Sequence, residues 1–593
     1  MARRGSAASP GPVVKSLIAL AAMAFLPACS EGLGGHRDGV FGEGYKVSVV
    51  EIGESGAGNY LAGRFALDQH DLGAASDFLL KALDRDPENT ELLQRSLLAL
   101  AAEGRMDDAA DIARRLLSFD ADAALAAMLL ASQDARQGRW EMAEKRVARL
   151  PRRGINAFMV PVIIAWTRAG QGNTGAAIEA LAPLSQTSSF AILHDFHAAL
   201  IADMADRRKL ADGYYRSMLA GDSGQTLRSI QAATAFYRRI GQTKTADEIT
   251  ARYYLHRSDP FEEKDGGPPV KTATDGLAEA FLSTASSWRQ GNLPELSLVF
   301  ARMALSLKPD FSLAWLSVGE TLQSLDRPEE ADRAFAEIGP DSPVYWNAQL
   351  RIAANMDQTG DFDGAVRTLE ALAARDPGRP ESLVTLGDIY RRHERWLDAA
   401  AAYDRALAMS PQDSPDLWGL YYSRGIALER SKRWPEAERD LLKALELRPD
   451  EPHVLNYLGY SWIEQGGDID RARKMIERAV ELRPTDGYIV DSLGWAYYRT
   501  GDYVKAVDIL ERAVELRPEE PTINDHLGDA LWNVGRRNEA FFQWQRALTF
   551  KPDSDVAEEI RKKIAERTPP APVAETAPEA TAAPEAESIP APQ

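Results

Sequence analysis

The chain has 593 residues, of which 45% are apolar and 26% charged, an ordinary globular composition. Its formal net charge of −19 argues against nucleic acid as a main partner, because phosphate binding needs a basic surface. Cys29 is the single cysteine, which excludes an intramolecular disulfide and any cysteine-based metal site.

Residues 1–28 read as a secretory signal peptide. Arg3, Arg4 and Lys15 make a basic start, and "SLIALAAMAF" (16–25) is a short apolar run. That run is about half of the ~20 residues a membrane-spanning helix needs. A partly buried N-terminal helix is the alternative reading. The residues that should follow Arg3-Arg4 in a twin-arginine signal are absent. "LPAC" (26–29) resembles the lipobox of bacterial lipoproteins through Leu26, Ala28 and Cys29, with Pro27 in place of the usual small residue. The resemblance implies cleavage before Cys29 and its lipidation; several acyl chains anchor firmly where one is marginal. Ser30 follows the cysteine instead of Asp, so the resemblance implies the outer membrane, with the protein facing the periplasm. Residues 29–55 are then the lipidated N-terminus and a Gly-rich tether.

From residue 56 the sequence repeats. Proline recurs at Pro309, Pro343, Pro377 and Pro411 in steps of 34, then at Pro449, Pro484, Pro518 and Pro552 in steps of 38, 35, 34 and 34. Twelve residues earlier stand Ala331, Ala365, Ala399, Ala437, Ala472, Ala506 and Ala540, with Ser297 as the exception. Five residues before the proline stand Ala304, Ala406, Ala444, Ala479, Ala513 and Ala547. Twenty-four before it stand Gly319, Gly387, Gly425, Gly494 and Gly528, with Gly459 one place off. Small residues let two antiparallel helices approach, where a bulky side chain would overpack the contact at roughly 1–3 kcal/mol. Proline ends the second helix because it cannot continue the hydrogen-bond ladder. The pattern resembles the tetratricopeptide repeat (TPR), which implies an all-α superhelix, an α-solenoid of antiparallel helix pairs.

Residues 58–89 fit the same columns through Gly63, Ala75, Ala82 and Pro87. Five weaker units follow, recognised by Ala109, Ala143, Ala176, Ala211 and Ala246. "GGPP" within 259–276 is a linker signal. Two superhelical blocks are therefore expected, a degenerate one at 56–260 and a regular one at 277–567, joined by a linker at 261–276. Residues 568–593 are Pro/Ala/Glu-rich without aromatics, and such a segment is expected to form a disordered tail.

Helix periodicity sorts the first helix of each late unit into two faces. Val490, Leu493, Gly494 and Tyr497 share the packing face, and Asp491, Trp495, Tyr498 and Arg499 share another. The next unit places Asp525, Asp529 and Trp532 at matching positions with His526 beside them; the preceding one places Asn456, Tyr460 and Glu464. The resemblance implies that this second face lines a concave groove for a protein or peptide partner. Carboxylates, aromatics and one arginine suit a peptide with basic and apolar side chains. At any single position packing or solvation is the alternative, but tryptophan at two groove positions points to binding. Chaperone-binding TPRs hold a C-terminal carboxylate with basic groove residues; Asp491 and Asp525 would repel one, although Arg499, Arg391 and Arg392 remain available.

Nothing in the chain spells catalysis, a cofactor or a metal site. "GDSGQ" (221–225) resembles a chymotrypsin-like nucleophile motif but lies between predicted helices, without the β-barrels that motif requires. His194 and His197 share a helix face, and two ligands without a third make no catalytic zinc site. HExxH, GxxxxGK[ST] and GxSxG are absent, so an enzyme is not expected.

The stretches 418–441, 455–481, 486–503 and 523–544 resemble a family of proteobacterial envelope lipoproteins with TPR arrays, including a lipoprotein adaptor of a periplasmic carboxyl-terminal processing protease. The resemblance implies a membrane-anchored periplasmic adaptor that presents substrates to a processing protease in cell-wall turnover. The alternative is a scaffold of an envelope export or secretion machine without a protease.

Overall fold

Helices in this chain start and turn on local signals. The side chains of Asp71, Asn89, Asn173, Asp468, Asp486 and Asp502 each accept a hydrogen bond from a first-turn backbone N–H, satisfying donors that the helix itself leaves free. Most helix pairs turn through one residue with positive φ, as at Gly104, Gly138, Gly172, Gly466, Gly501 and Gly535. His70, Asp206, Asn292, Asp326, Glu394 and Lys432 take the same conformation without being glycine. The computed structural model describes residues 53, 55–187, 190–221, 225–254, 268–376, 378–410 and 414–567. Residues 1–28, Cys29, nearly all of the tether, 261–267 of the linker and the 568–593 tail lie outside them. Among the described residues the secondary structure is helical without strands, and no helix is long and apolar enough to cross a membrane.

The chain divides into two compact units, Met1–Leu372 and Ala373–Gln593. The first unit opens with the pairs α1 (Gly56–Asp68) and α2 (Leu72–Leu83), α3 (Thr90–Glu103) and α4 (Met106–Phe119), and α5 (Ala124–Arg136) and α6 (Trp140–Ala148). Then come α7 (Asn156–Gly170) with α8 (Thr174–Ala180) and the short α9 (Ala182–Ser185), followed by α10 (Ala191–Met204) and α11 (Arg208–Ala220). Next are α12 (Leu227–Arg239) and α13 (Thr243–Tyr254), then α14 (Ala273–Gln290) and α15 (Pro294–Leu307). The pair α16 (Ser312–Ser324) and α17 (Pro328–Ala336) precedes α18 (Tyr345–Gln358) and α19 (Phe362–Arg375), within which the division falls.

This unit is not a simple stack. After the linker, α14 and α15 turn back and pack on the face formed by α3, α5, α7 and α10, the first helices of earlier pairs. Trp166 of α7 is fully buried, and a Cβ at Gly276 of α14 would sit 2.2 Å from its ring. The Thr284 hydroxyl lies 3.0 Å from Met159 Sδ. Glu279, only 1% exposed, accepts from Arg228 Nε of α12, which lies 3.1 Å from both carboxylate oxygens. Farther along, Arg136 Nη1 reaches the Ser306 carbonyl at 3.5 Å, and Arg327 Nη1 donates to the His70 carbonyl at 2.8 Å. One apolar core consequently runs from Ala66 to Ala348. The inner helices show it in sequence: α7, "NAFMVPVIIAWTRAG", is apolar nearly all round, the mark of a helix buried on both sides.

The alanine columns hold with one correction. Ala75, Ala109, Ala143, Ala211 and Ala246 are fully buried, but in the fourth unit Ala177 takes the place expected for Ala176. Ala177 keeps the 34-residue step and packs inward.

The second unit contains α20 (Glu381–Arg392) and α21 (Trp396–Met409), then, after a 3-10 turn at Pro415–Leu417, α22 (Trp418–Arg430) and α23 (Trp434–Leu447). The pairs α24 (Pro452–Gln465) with α25 (Ile469–Leu482), α26 (Gly487–Arg499) with α27 (Tyr503–Leu516), and α28 (Pro521–Asn533) with α29 (Arg537–Thr549) follow, closed by α30 (Ser554–Arg567). Here the core is broken into smaller clusters, each shared by adjacent pairs, as expected of a solenoid. A Cβ at Gly387, Gly425, Gly494 or Gly528 would lie 2.4–3.0 Å from Tyr403, Leu441, Leu510 or Trp544, always sixteen residues on. Gly459 meets Ile476, seventeen on, because Gly467 adds one residue to that turn.

Two outcomes test this packing. Gly276→Ala should destabilise the first unit by about 1–3 kcal/mol in chemical denaturation, because Trp166 cannot retreat. Lys432→Gly should stabilise the second unit by about 0.5–1 kcal/mol by relieving a left-handed lysine at an exposed turn.

Candidate functional site

The glycine column decides which face of α24, α26 and α28 is turned away from the partner helices. With Gly494 against Leu510 and Gly528 against Trp544, the opposite side of each first helix forms the inner face of the repeat row. Asn456, Tyr460 and Glu464 lie there on α24, Asp491, Trp495, Tyr498 and Arg499 on α26, and Asp525, His526, Asp529 and Trp532 on α28.

Side chains from successive first helices are tied together. Trp495 Nε1 donates to Glu464 Oε1 at 2.8 Å, and Arg499 Nη1 donates to the same oxygen at 2.7 Å. His526 Nδ1 lies 3.0 Å from both carboxylate oxygens of Asp491. Its ring stacks on Trp495 at 4.1 Å with planes 18° apart, and Trp495 also stacks on Tyr498 at 4.7 Å. Asn533 Nδ2 donates to the Tyr498 hydroxyl at 3.2 Å. Lys563 Nζ of α30 donates to Asp525 at 2.9 and 2.7 Å and to Asp529 at 2.8 Å.

These contacts change the expected character of the groove. Asp491, His526 and Asp529 are buried, and Asp525 is half-buried. Each carboxylate already has a basic side chain beside it, so the face offers fewer free negative charges than its sequence suggests. Burial, then the like charge of Asp529, raises the Asp525 carboxyl above its ordinary range, against the pull of Lys563. Burial lowers the Lys563 ammonium, but Asp525 and Asp529 outweigh it and the net shift is upward. Burial, with Glu464 and Asp491 nearby, pushes the Tyr460 hydroxyl up to about 12, so it stays protonated and able to donate.

Trp532 stands apart from the rest. It packs at 5.8 Å from Phe541 and 5.9 Å from Trp544, with the guanidinium groups of Arg537 and Arg567 over its ring at 5.0 and 5.5 Å. It is a half-buried outer layer of the core. Asn456 Oδ1 is buried without a hydrogen-bond partner, and Arg499 is exposed at the rim. Sequence reasoning missed Lys563, Arg567 and Asn533. Lys563 falls 34 residues after Asp529 and Arg567 falls 34 after Asn533, so the period carried past Pro552 would have placed both on this face. Arg391 lies 3.6 Å from Asp388.

The other motifs resolve into packing or leave the description. His197 is fully buried, its Nδ1 accepts from Trp166 Nε1 at 3.1 Å, and burial lowers it to about 3, which keeps it neutral. His194 Nδ1 instead lies 2.8 Å from Asp195. Residues 222–224 of "GDSGQ" lie outside the described residues. Among the described residues no group of three or more His, Cys, Asp or Glu side chains is placed to hold a metal ion.

The family model for the tetratricopeptide repeat matches residues 357–414, 422–487, 464–521 and 492–555. Residues 357–555 thus carry tetratricopeptide repeats, and such repeats suggest a protein-interaction scaffold. It is 29% identical over 173 residues to a TPR repeat-containing protein of Pseudomonas aeruginosa, covering 29% of this chain and 28% of that one. It is 33% identical over 119 residues to the cytochrome c-type biogenesis protein CycH of Rhizobium meliloti, covering 20% and 31%. It is 23% identical over 150 residues to the human protein O-mannosyl-transferase TMTC1, covering 25% and 16%. The chain thus spans less than a third of the length of each of these relatives. Similar solved structures include yeast Tom70 (TM-score 0.34, 13% identity, 87% of this chain and 97% of that one) and the APC/C hetero-tetramer Cut9–Hcn1 (0.36, 15%, 86% and 96%).

Trp532→Ala should lower stability by about 2–3 kcal/mol in thermal or urea unfolding, because it strips a cover from Phe541 and Trp544. Unchanged melting would show that Trp532 belongs to the open face.

Proposed function

We propose that this protein is a non-catalytic adaptor, lipid-anchored through Cys29 to the outer membrane and facing the periplasm, which holds a protein partner on the inner face of residues 381–567. One observation carries the choice of surface. The equivalent face of the first unit is covered by α14 and α15, whereas α24 and α26 carry Tyr460, Trp495, Tyr498 and Arg499 at half-buried or exposed positions. A half-exposed aromatic beside an arginine is the composition of an interaction hot spot.

The partner we favour is a periplasmic processing protease together with its substrate, on the resemblance of 418–544 to the envelope lipoprotein family. Anchoring both to one scaffold raises their effective concentration without new chemistry. A second reading, a scaffold of an envelope assembly or export machine without a protease, is favoured by the likeness over 119 residues to a c-type cytochrome biogenesis protein.

The experiment is in-cell crosslinking and purification of the full chain beside a Tyr460→Ala/Arg499→Glu variant. Recovery of a processing protease with the wild type and its loss with the variant supports the adaptor. Recovery of export, secretion or biogenesis components instead supports the second reading. Separately, Cys29→Ser should move the protein from the membrane to the soluble fraction; continued need for detergent would refute the lipid anchor.

A further inference from the structure

The links between successive first helices in the second unit are mostly of fixed charge near neutral pH. Arg499 meets Glu464, and Lys563 meets Asp525 and Asp529. The tie between α26 and α28 differs, because its cation is a histidine, the side chain whose charge changes most readily between mildly acid and mildly alkaline pH. We propose that His526 is a proton-controlled tie: protonated, it locks α26 to α28 and fixes Trp495 on the inner face; deprotonated, it releases both. The device belongs to the fold and does not depend on which partner the face holds.

The geometry supports this from every side. His526 is buried, with Nδ1 at 3.0 Å from both oxygens of Asp491 and its ring 4.1 Å from that of Trp495. The charged groups acting on it are Asp491 from α26 and Asp525 and Asp529 from its own helix; behind them stand Lys563 and Arg567 of α30, on Asp525 and Asp529, while Tyr498 of α26 and Glu464 of α24 meet its stacking partner Trp495. Lys563 serves Asp525 and Asp529, Arg567 Nη1 approaches Asp529 at 3.6 Å, and Arg499 serves Glu464. Among the described residues Asp491 has only His526 as an ion-pair partner. A neutral imidazole would therefore leave a buried carboxylate without a counter-charge, and would also remove the cation from the face of Trp495.

The direction of the pH effect follows. Burial lowers the proton affinity of His526, but the charge and hydrogen bond of Asp491, with Asp525 and Asp529 behind it, outweigh burial, and the net shift is upward. A group raised in the fold stabilises fully below its unfolded value, about 6.5, and loses that contribution as pH rises through the folded one. The tie is thus closed at pH 6 and open at alkaline pH.

Hydrogen–deuterium exchange on the full chain at pH 6 and pH 9, corrected for intrinsic exchange, reads it. Protection of peptides within 487–533 should fall at pH 9, by about tenfold for each unit by which the fold raises the histidine, while peptides within 434–465 stay unchanged. His526→Gln, which keeps a donor but cannot titrate, should give equal protection at both pH values. Asp491→Asn should do the same, and decides the matter if circular dichroism shows that His526→Gln has unfolded. Equal wild-type protection at both pH values, a pH step spread evenly over 434–533, or a step that survives in a folded His526→Gln or Asp491→Asn would overturn the proposal.

Discussion

The contact between a glycine on the first helix of a pair and the bulky residue sixteen places later sets the geometry on which the rest depends. At Gly387, Gly425, Gly494 and Gly528 the second helix comes so near that a methyl group would overlap Tyr403, Leu441, Leu510 or Trp544. That approach brings the alanine columns into the seam, where Ala399, Ala437, Ala506 and Ala540 are fully buried. It also orients the first helix: once one side is committed to the seam, Tyr460, Trp495 and Asp529 must face the other way. The inner face is therefore a by-product of the seam, and its side chains are free to vary in chemistry as long as the seam is kept.

The two units use that freedom differently. In the first, the inner faces of α3, α5 and α7 are apolar and receive α14 and α15, with buried Glu279 and half-buried Arg228 as a polar pin. Breaking such a pin is costly because one charge is left uncompensated. In the second, the inner faces stay polar and aromatic, and the helices are held to one another by charged links across the surface. One unit consumes its inner face to make a core; the other leaves it uncovered by its own helices.

The period, the two helices per unit and the seam were legible in the sequence because they rest on residue types with no substitute at that spacing: glycine or alanine at the contact and proline after the second helix. The turn within each pair was not, although it repeats just as faithfully. His70, Asp206, Asn292, Asp326, Glu394 and Lys432 adopt its left-handed conformation without glycine, which hides the column. The return of α14 and α15 was missed because a linker rich in glycine and proline reads the same whether the next segment continues outward or folds back. The all-round apolar character of α7 was the available signal. On the inner face, periodicity grouped the residues by helix face but did not give their state: burial of Asp491 and its pairing with His526 join residues 35 apart, and Lys563 lies in a helix beyond the last recognised proline.

The folded-back pair also determines how the protein can grow. In a stack where each pair touches only its neighbours, a 34-residue module can be gained or lost and both flanks still find matching faces. The second unit meets that condition, so its length can drift between descendants. The first unit does not. A module inserted between α7 and α12 would move Trp166 and Arg228 apart, so α14 could keep Gly276 on Trp166 or Glu279 on Arg228 but not both. Its repeat number is frozen by its own interior.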